Sequence, residues 1–261
     1  MSQNLIKVES LKKLKRIGFY SVETNQETIT VTDDIIVRYG LLKDKELTIN
    51  EFEEIKKENE KNNYFLKACH YIYYQMRSKQ EVEEYLKNYQ VKENDIIDII
   101  KHLEDLQLID DNLLCNLILE KTISSLKGPN AFITKVKQRK LKVNLSNFVY
   151  KSDIEAEVID KVIEKNILKK TNLPVKKQKE QLYAKLIRDG FSNELINNRI
   201  NKITFVDESL KTLDKDYKKV LKKYDLLDDK TKRNKIISSL TLKGYSYSQI
   251  ISKINSLDDN Y

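Results

Sequence analysis

The side chains that could do covalent chemistry are few and badly spaced for it. His70 and His102 have no cysteine or acidic partner at metal-ligand spacing, so both read as helix-face residues rather than ligands. Cys69 and Cys115 are far apart in apolar helical patterns and read as two reduced, buried thiols. The five glycines, at 18, 40, 128, 190 and 244, are isolated, so no glycine-rich loop can cradle a phosphate. Carboxylate pairs such as Glu83-Glu84 read as solvated helix faces. No catalytic constellation, cofactor or metal is expected, and the chain reads as non-enzymatic.

The remaining chemistry is electrostatic. Lys135, Lys137, Arg139, Lys140 and Lys142 form one basic cluster, and Lys218, Lys219, Lys222 and Lys223 form another whose spacing places them along one helix stripe. Lys230, Lys232, Arg233 and Lys235 follow at the next helix start, where the helix dipole adds to the positive field. Such clusters are either ordinary solvated faces or a surface for phosphates or an acidic partner. The charge distribution adds weight to the second reading. Of a net +8, residues 1–110 carry −4 and residues 111–261 carry +12. Tyr71, Tyr73 and Tyr74 could stack on bases, but at helical spacing beside Leu66 and Ile72 they read as core and rim.

What positions these residues is mostly helix. Apolar residues at 40% and charged residues at 34% suit thin helical layers better than one thick core, and only 5 glycines and 2 prolines interrupt 261 residues. No apolar run is long enough to span a membrane, and Met1-Ser2-Gln3-Asn4 does not begin a secretory signal, so a cytoplasmic location is expected. Residues 1–62 form a distinct element. Strands at 17–22 and 28–31 make a hairpin, with a third strand at 5–8. Asp33-Asp34 caps a short helix ended by Gly40, and Thr48 with Glu51 opens another through a capping box.

From Tyr64 onward the chain repeats itself. Val82, Leu86, Val91, Ile96, Ile100 and Leu103 lie at offsets 0, 4, 9, 14, 18 and 21. Leu182, Leu186, Phe191, Ile196, Ile200 and Ile203 reproduce those offsets, as do Ile236, Leu240, Tyr245, Ile250, Ile254 and Leu257. The pattern is two helix faces joined by a turn. Gly190 and Gly244 stand where a helix end needs a left-handed residue, and Ser192 and Ser246 stand at the next N-cap. In the first copy Lys92 holds the serine's place, and Asn94 is expected to cap instead. A looser copy runs through Phe132, Val136 and Leu141 to Leu145 and Phe148 or Val149, with Lys140 in place of the turn glycine and Pro129 just inside its helix start. A further helix precedes each pair: Tyr64–Met76, Leu113–Leu126, Asp153–Ile167 and Leu210–Tyr224. The expected fold is mainly α, with tandem three-helix, helix-turn-helix-like repeats in an elongated, curved array behind a small N-terminal β element. The divisions are 63–110, 111–170, 171–209 and 210–261.

Three landmarks carry a family resemblance. Arg77-Ser78, followed by Glu81 and Leu86, is one; Leu106-Gln107-Leu108-Ile109-Asp110-Asp111 is the second. Lys127-Gly128-Pro129 before Phe132-Ile133 is the third. Together, in this order and spacing, they resemble the RecX family of RecA regulators, and the N-terminal hairpin and extra C-terminal units resemble its long Gram-positive form. The match covers nearly the whole chain; Lys140, where the family often has glycine, departs from it. The resemblance implies a regulator of recombination, DNA repair and the SOS response that binds RecA and the RecA–single-stranded-DNA filament. It implies inhibition of filament growth, strand exchange and ATP hydrolysis.

The landmarks also have local explanations. Ser78 and Glu81 can form a capping box, and Asp110-Asp111 can cap the next helix and favour its positive end. Arg77 is required by no cap and could equally meet a partner. A stand-alone DNA-binding protein acting through its basic C-terminal half is the second reading, weakened by the want of a helix dense in Arg, Asn and Gln for base readout. A passive helical adaptor is the third. A monomer without cofactor is expected in each case, with direct contact to DNA left open.

Overall fold

In a computed structural model, residues 5–167 and 171–258 are described, with side chains as far as Ser256. The expectations for Met1-Ser2-Gln3-Asn4 and for the face position of Leu257 lie outside those residues. The chain divides into two compact units, one of residues 1–115 with 139–143 and the other of 116–138 with 144–261.

The first unit opens with strands β1 (Ile6–Lys13), β2 (Phe19–Thr24) and β3 (Thr28–Thr32), helix α1 (Asp33–Tyr39) and strand β4 (Glu46–Leu47). The strands form an antiparallel sheet in the order β3-β2-β1-β4. Alternation of Ile6 and Val8 with polar neighbours turns one face of β1 inward, where Val22, Val31, Ile35 and Phe52 complete a core. The hairpin and third strand expected from the sequence are present; β4 is an addition, its two residues too short for a periodic signal. The cap of α1 differs from expectation. Thr32 is the N-cap, without a side-chain cap bond, and Asp33 and Asp34 occupy the first turn; Gly40 ends the helix in the left-handed conformation.

The free side of β3 is closed by a polar residue. Asn59 donates to the Thr30 carbonyl at 2.8 Å and accepts from the Thr32 N–H at 3.3 Å, as a neighbouring strand would. Replacing Asn59 with leucine should leave both backbone groups unmatched and destabilise the chain by about 1–3 kcal/mol, read as a lower urea midpoint.

Asn59 belongs to α2 (Ile49–Tyr73), a continuous 25-residue helix opened by the Thr48–Glu51 capping box. No glycine or proline interrupts 49–73, so the expected division at 62/63 falls inside one helix, which serves the sheet with Phe52 and Ile55 and the first repeat with Ala68. α3 (Lys79–Lys87) and α4 (Glu93–Asp105) complete that repeat around Val82, Leu86, Ile96, Ile99 and Leu103. Lys92 is the N-cap of α4, with no side-chain cap bond, so Asn94 does not cap it.

The chain passes through α5 (Asp111–Ser124) and α6 (Pro129–Gln138), then a single 3-10 turn (Leu145–Asn147). The second helix face expected at Leu145 and Phe148 or Val149 is reduced to that turn: Phe148 is buried, Leu145 and Val149 are exposed. Asn144 caps the turn, and α7 (Ser152–Ile167) begins soon after it. In the second unit α7 packs with α8 (Val175–Arg188) and α9 (Asn193–Ile200) around Ile159, Leu186, Phe191 and Ile196. The core of α7 is shared with the helices after it, and Ile123 and Leu126 from before it pack against that core. Last come α10 (Leu210–Lys223), α11 (Asp229–Leu242) and α12 (Tyr247–Asp258), with Leu213, Val220, Leu240 and Ile250 buried together.

The repeated turn is the same device in every copy. Gln90, Lys140, Gly190 and Gly244, at matching positions, have φ of 57°, 52°, 90° and 96°. At Gly190 the Phe191 N–H reaches the Leu186 carbonyl at 3.2 Å and the Gly190 N–H reaches Ile187, closing a Schellman cap. The fold is thus mainly helical, built of tandem three-helix units after a small antiparallel sheet.

Candidate functional site

The first two landmarks converge within the first unit. Ser78 Oγ accepts from the Glu81 N–H at 3.1 Å, and Glu81 accepts from the Ser78 N–H at 2.8 Å, so the capping box of α3 is complete. The same carboxylate then receives a fork from Arg139, Nε at 2.8 Å and Nη2 at 2.9 Å. Arg139 Nη2 also donates to the Met76 carbonyl at 2.5 Å. Lys140 pairs with Glu84 at 2.5 Å. Two members of this basic cluster are therefore engaged within the unit: Arg139 holds the start of α3, and Lys140 makes an exposed pair with Glu84.

The acidic landmark divides its work. Asp110 Oδ1 accepts from the N–H groups of Asn112 and Leu113, capping α5 as expected. Asp111 does not cap α5. It is buried and accepts from the Lys79 N–H at 2.9 Å, capping α3 from outside. An open groove of about 750 Å³ runs alongside, lined by Lys79, Glu83, Glu104, Asp110 and Lys142 among others, with both charge signs mixed. No group of His, Cys, Asp and Glu suited to a metal occurs among the described residues.

These placements perturb the two carboxyls in opposite directions. Burial raises the Glu81 carboxyl, but Arg139 and the Ser78 N–H outweigh it and hold it below its usual range. Burial dominates at Asp111 and pushes it up against the opposing Lys79 N–H. Glu81 thus contributes stability that is present above the usual carboxylate range and lost as pH falls through its lowered value. Asp111 has the opposite sign, its strain relieved on protonation. Thermal melts from pH 7 to pH 3 should show an acid loss of stability in the wild type that is smaller in Arg139→Gln.

The third landmark does its work in the second unit. The Gly128 N–H donates to the Asp189 carbonyl at 2.8 Å and the Asn130 N–H to the Gly190 carbonyl at 3.0 Å. A Cβ on Gly128 would sit 2.4 Å from the Gly190 backbone, so the contact requires glycine at 128. Lys127 and Lys185 both reach the buried Asp189 carboxylate, at 2.6 and 2.7 Å. Glu155, also buried, accepts from the Ser192 N–H at 2.6 Å and so caps α9, since Ser192 makes no side-chain cap bond. Neither Asp189 nor Glu155 stood out in the sequence: Lys127 lies 62 residues from Asp189 and Ser192 lies 37 from Glu155, while the Lys185–Asp189 pair looks like any exposed i,i+4 pair. Ser246 and Gln249 form the reciprocal cap expected for α12.

The other basic residues lie differently. Lys218, Lys219 and Lys222 are exposed on α10, Lys230 and Lys235 on α11, and none has a carboxylate at ion-pair distance among the described residues. Lys223 lies over the Tyr224 ring at 5.3 Å, Lys232 pairs with Asp225 at 2.8 Å, and Arg233 is exposed. Lys135 is half-buried on α6, with Lys137 exposed; Lys142 is exposed. Arg77 stacks its guanidinium over Tyr71 at 4.2 Å, and its Nε is buried without a hydrogen-bond partner. Tyr71 and Tyr85 stack at 4.2 Å, and burial together with the Tyr89 hydroxyl pushes Tyr85 up to about 12. Tyr73 and Tyr74 are exposed, outside any core. Cys69 is half-buried, Cys115 buried, and both are free thiols. No helix among the described residues is long and apolar enough to cross a membrane.

Fold and landmark contacts together define a tandem helical-repeat protein whose signature residues join one helix start to another. Comparison with known proteins finds relatives of one name. The chain is 29% identical over 260 residues to the regulatory protein RecX of Streptococcus pyogenes serotype M1, covering 96% of this chain and 99% of that one. It is 29% identical over 231 residues to the regulatory protein RecX of Enterococcus faecalis, covering 86% and 87%. A crystal structure of a regulatory protein RecX shares the fold at a TM-score of 0.56 and 22% identity, covering 74% of this chain and 97% of that chain. No family model matches. The resemblance to the RecX family carried by the three landmarks therefore holds along nearly the whole chain.

Proposed function

We propose that this protein is a non-enzymatic regulator of homologous recombination and DNA repair that binds RecA and RecA–single-stranded-DNA filaments. In this reading it inhibits filament growth, strand exchange and ATP hydrolysis, acting as a cytoplasmic monomer without a cofactor. The observation that carries the reading is similarity to regulatory RecX proteins over 96% of the chain, with the landmark residues in structural contact. Contact with the filament is assigned to the unpaired lysines of α10 and α11 (Lys218, Lys219, Lys222, Lys230 and Lys235), with Lys223, Lys232 and Arg233 at their edges. Lys135, Lys137 and Lys142 are further candidates. Arg139 is assigned to holding α3, and Lys140 to an exposed pair with Glu84 that contributes little.

The test is ATP hydrolysis by RecA on single-stranded DNA with substoichiometric protein added. A fall in rate together with shorter filaments is expected; an unchanged rate and length contradicts the proposal.

The same unpaired lysines favour a second reading, direct DNA binding by the chain alone. That reading requires binding to bare DNA that weakens steeply with salt, about one unit of log–log slope per phosphate neutralised. Lys218→Glu with Lys222→Glu should reduce such a slope at an unchanged melting temperature, since both side chains are exposed.

A further inference from the structure

The first unit is rich in acid, and several of its cations pair with it. Lys7, Lys12, Arg38, Lys56, Lys61, Lys79 and Lys87 each meet a carboxylate. Two cations at the end of α2 meet tyrosine rings instead. Lys67 Nζ lies 4.2 Å from the Tyr89 ring centroid and 5.1 Å from that of Tyr64, and Arg77 lies over Tyr71. The rings connect: Tyr71 stacks on Tyr85, Tyr85 meets Tyr89 edge-on at 5.2 Å, and Tyr64 lies 6.4 Å from Tyr89. Beyond them Tyr73 and Tyr74, 84% and 71% exposed, stand nearly perpendicular at 5.6 Å, with His70 edge-on to Tyr74.

Tyrosines this exposed cannot be explained as core, and the surface combines π-faces with cations that no carboxylate among the described residues holds. Those are the two halves of a nucleotide's requirement: a flat surface for the base and a positive charge for the phosphate. Two carboxylates beside the cluster are already engaged. Glu60 accepts from the Tyr64 hydroxyl at 3.0 Å, and Glu81 is neutralised by the Arg139 fork. We propose that the exposed Tyr73–Tyr74 pair at the end of α2, with Arg77 three residues beyond it, is a stacking platform for the bases of single-stranded nucleic acid, while Lys67 and Arg77 lie over the faces of the Tyr89 and Tyr71 rings. It is a different surface from the lysines of α10 and α11 and recognises bases where they would recognise phosphates.

The difference in chemistry supplies the experiment. The full chain is titrated with oligo-dT and with an abasic oligonucleotide of equal length and backbone charge. The chain has no tryptophan, so its emission comes from its 15 tyrosines, and quenching lost in the Tyr73→Ala, Tyr74→Ala variant reports stacking on that pair. The wild type should bind oligo-dT more tightly and quench with it alone. Tyr73→Ala with Tyr74→Ala should weaken oligo-dT binding about tenfold or more and leave abasic binding unchanged. Equal affinity for the two oligonucleotides, or unchanged oligo-dT binding by the double variant, overturns the platform. So does a variant that loses a protein partner while keeping its oligo-dT affinity, which would make the face a protein contact. RecA is not in the assay. A chain that fails here yet slows RecA hydrolysis refutes the platform alone; one that passes here and leaves RecA untouched refutes only the regulator.

Discussion

Gly128→Ala is expected to destabilise the protein by about 3 kcal/mol, through overpacking and the loss of backbone hydrogen bonds at the same point. The new methyl group would lie 2.4 Å from the Gly190 carbonyl carbon and oxygen and 2.5 Å from the Phe191 nitrogen, all of them backbone atoms that no rotamer change can move aside. Relief requires α6 to withdraw from the α8–α9 turn, which breaks the Gly128-to-Asp189 and Asn130-to-Gly190 bonds. Gly40→Ala is the matched control. Its φ is 60° with nothing within 4 Å of the added carbon, so only the left-handed strain applies, about 1 kcal/mol. Urea unfolding of the two variants separates close approach from backbone strain. A Gly128→Ala variant no less stable than Gly40→Ala would contradict the packing described.

Arg139→Ala is expected to cost about 2–3 kcal/mol, less than a fully buried pair because both partners keep some solvent contact. The two side chains are 21% and 16% exposed, and the substitution leaves the Glu81 carboxylate and the Met76 carbonyl without their shared donor. Lys140→Gly, one residue on, should be neutral or stabilising. Its ion pair with Glu84 is 51% and 43% exposed and contributes little, while glycine relieves a φ of 52°. A larger loss from Lys140→Gly than from Arg139→Ala would reverse the roles given to the two residues.

Arg139 also marks the limit of what the sequence could disclose. Helices, turns and caps that depend on residues a few positions apart were legible: the offsets of Val82 to Leu103, the left-handed turns at Gly190 and Gly244, the Ser78–Glu81 box; that Gln90 and Lys140 adopt the same conformation was not. The Arg139–Glu81 fork spans 58 residues and the Lys127–Asp189 pair 62, and no local pattern announces either. Arg139 and Lys218 look alike in sequence; one is tied down and the other exposed on α10. The second repeat misled for a related reason. Phe132 and Val136 kept the spacing, but Leu145–Asn147 forms a single 3-10 turn where a second helix face was expected. Adjacency suggests Asp111 as a cap for its own helix, whereas its oxygen reaches the Lys79 N–H.

The most direct test of the proposed regulator compares charge reversal on α10 with the wild type in a RecA ATPase assay on single-stranded DNA. Lys218→Glu with Lys222→Glu should keep the wild-type melting temperature and lose most of the inhibition. A wild-type chain that leaves the hydrolysis rate unchanged, or a folded double variant that inhibits as well as the wild type, would contradict the account.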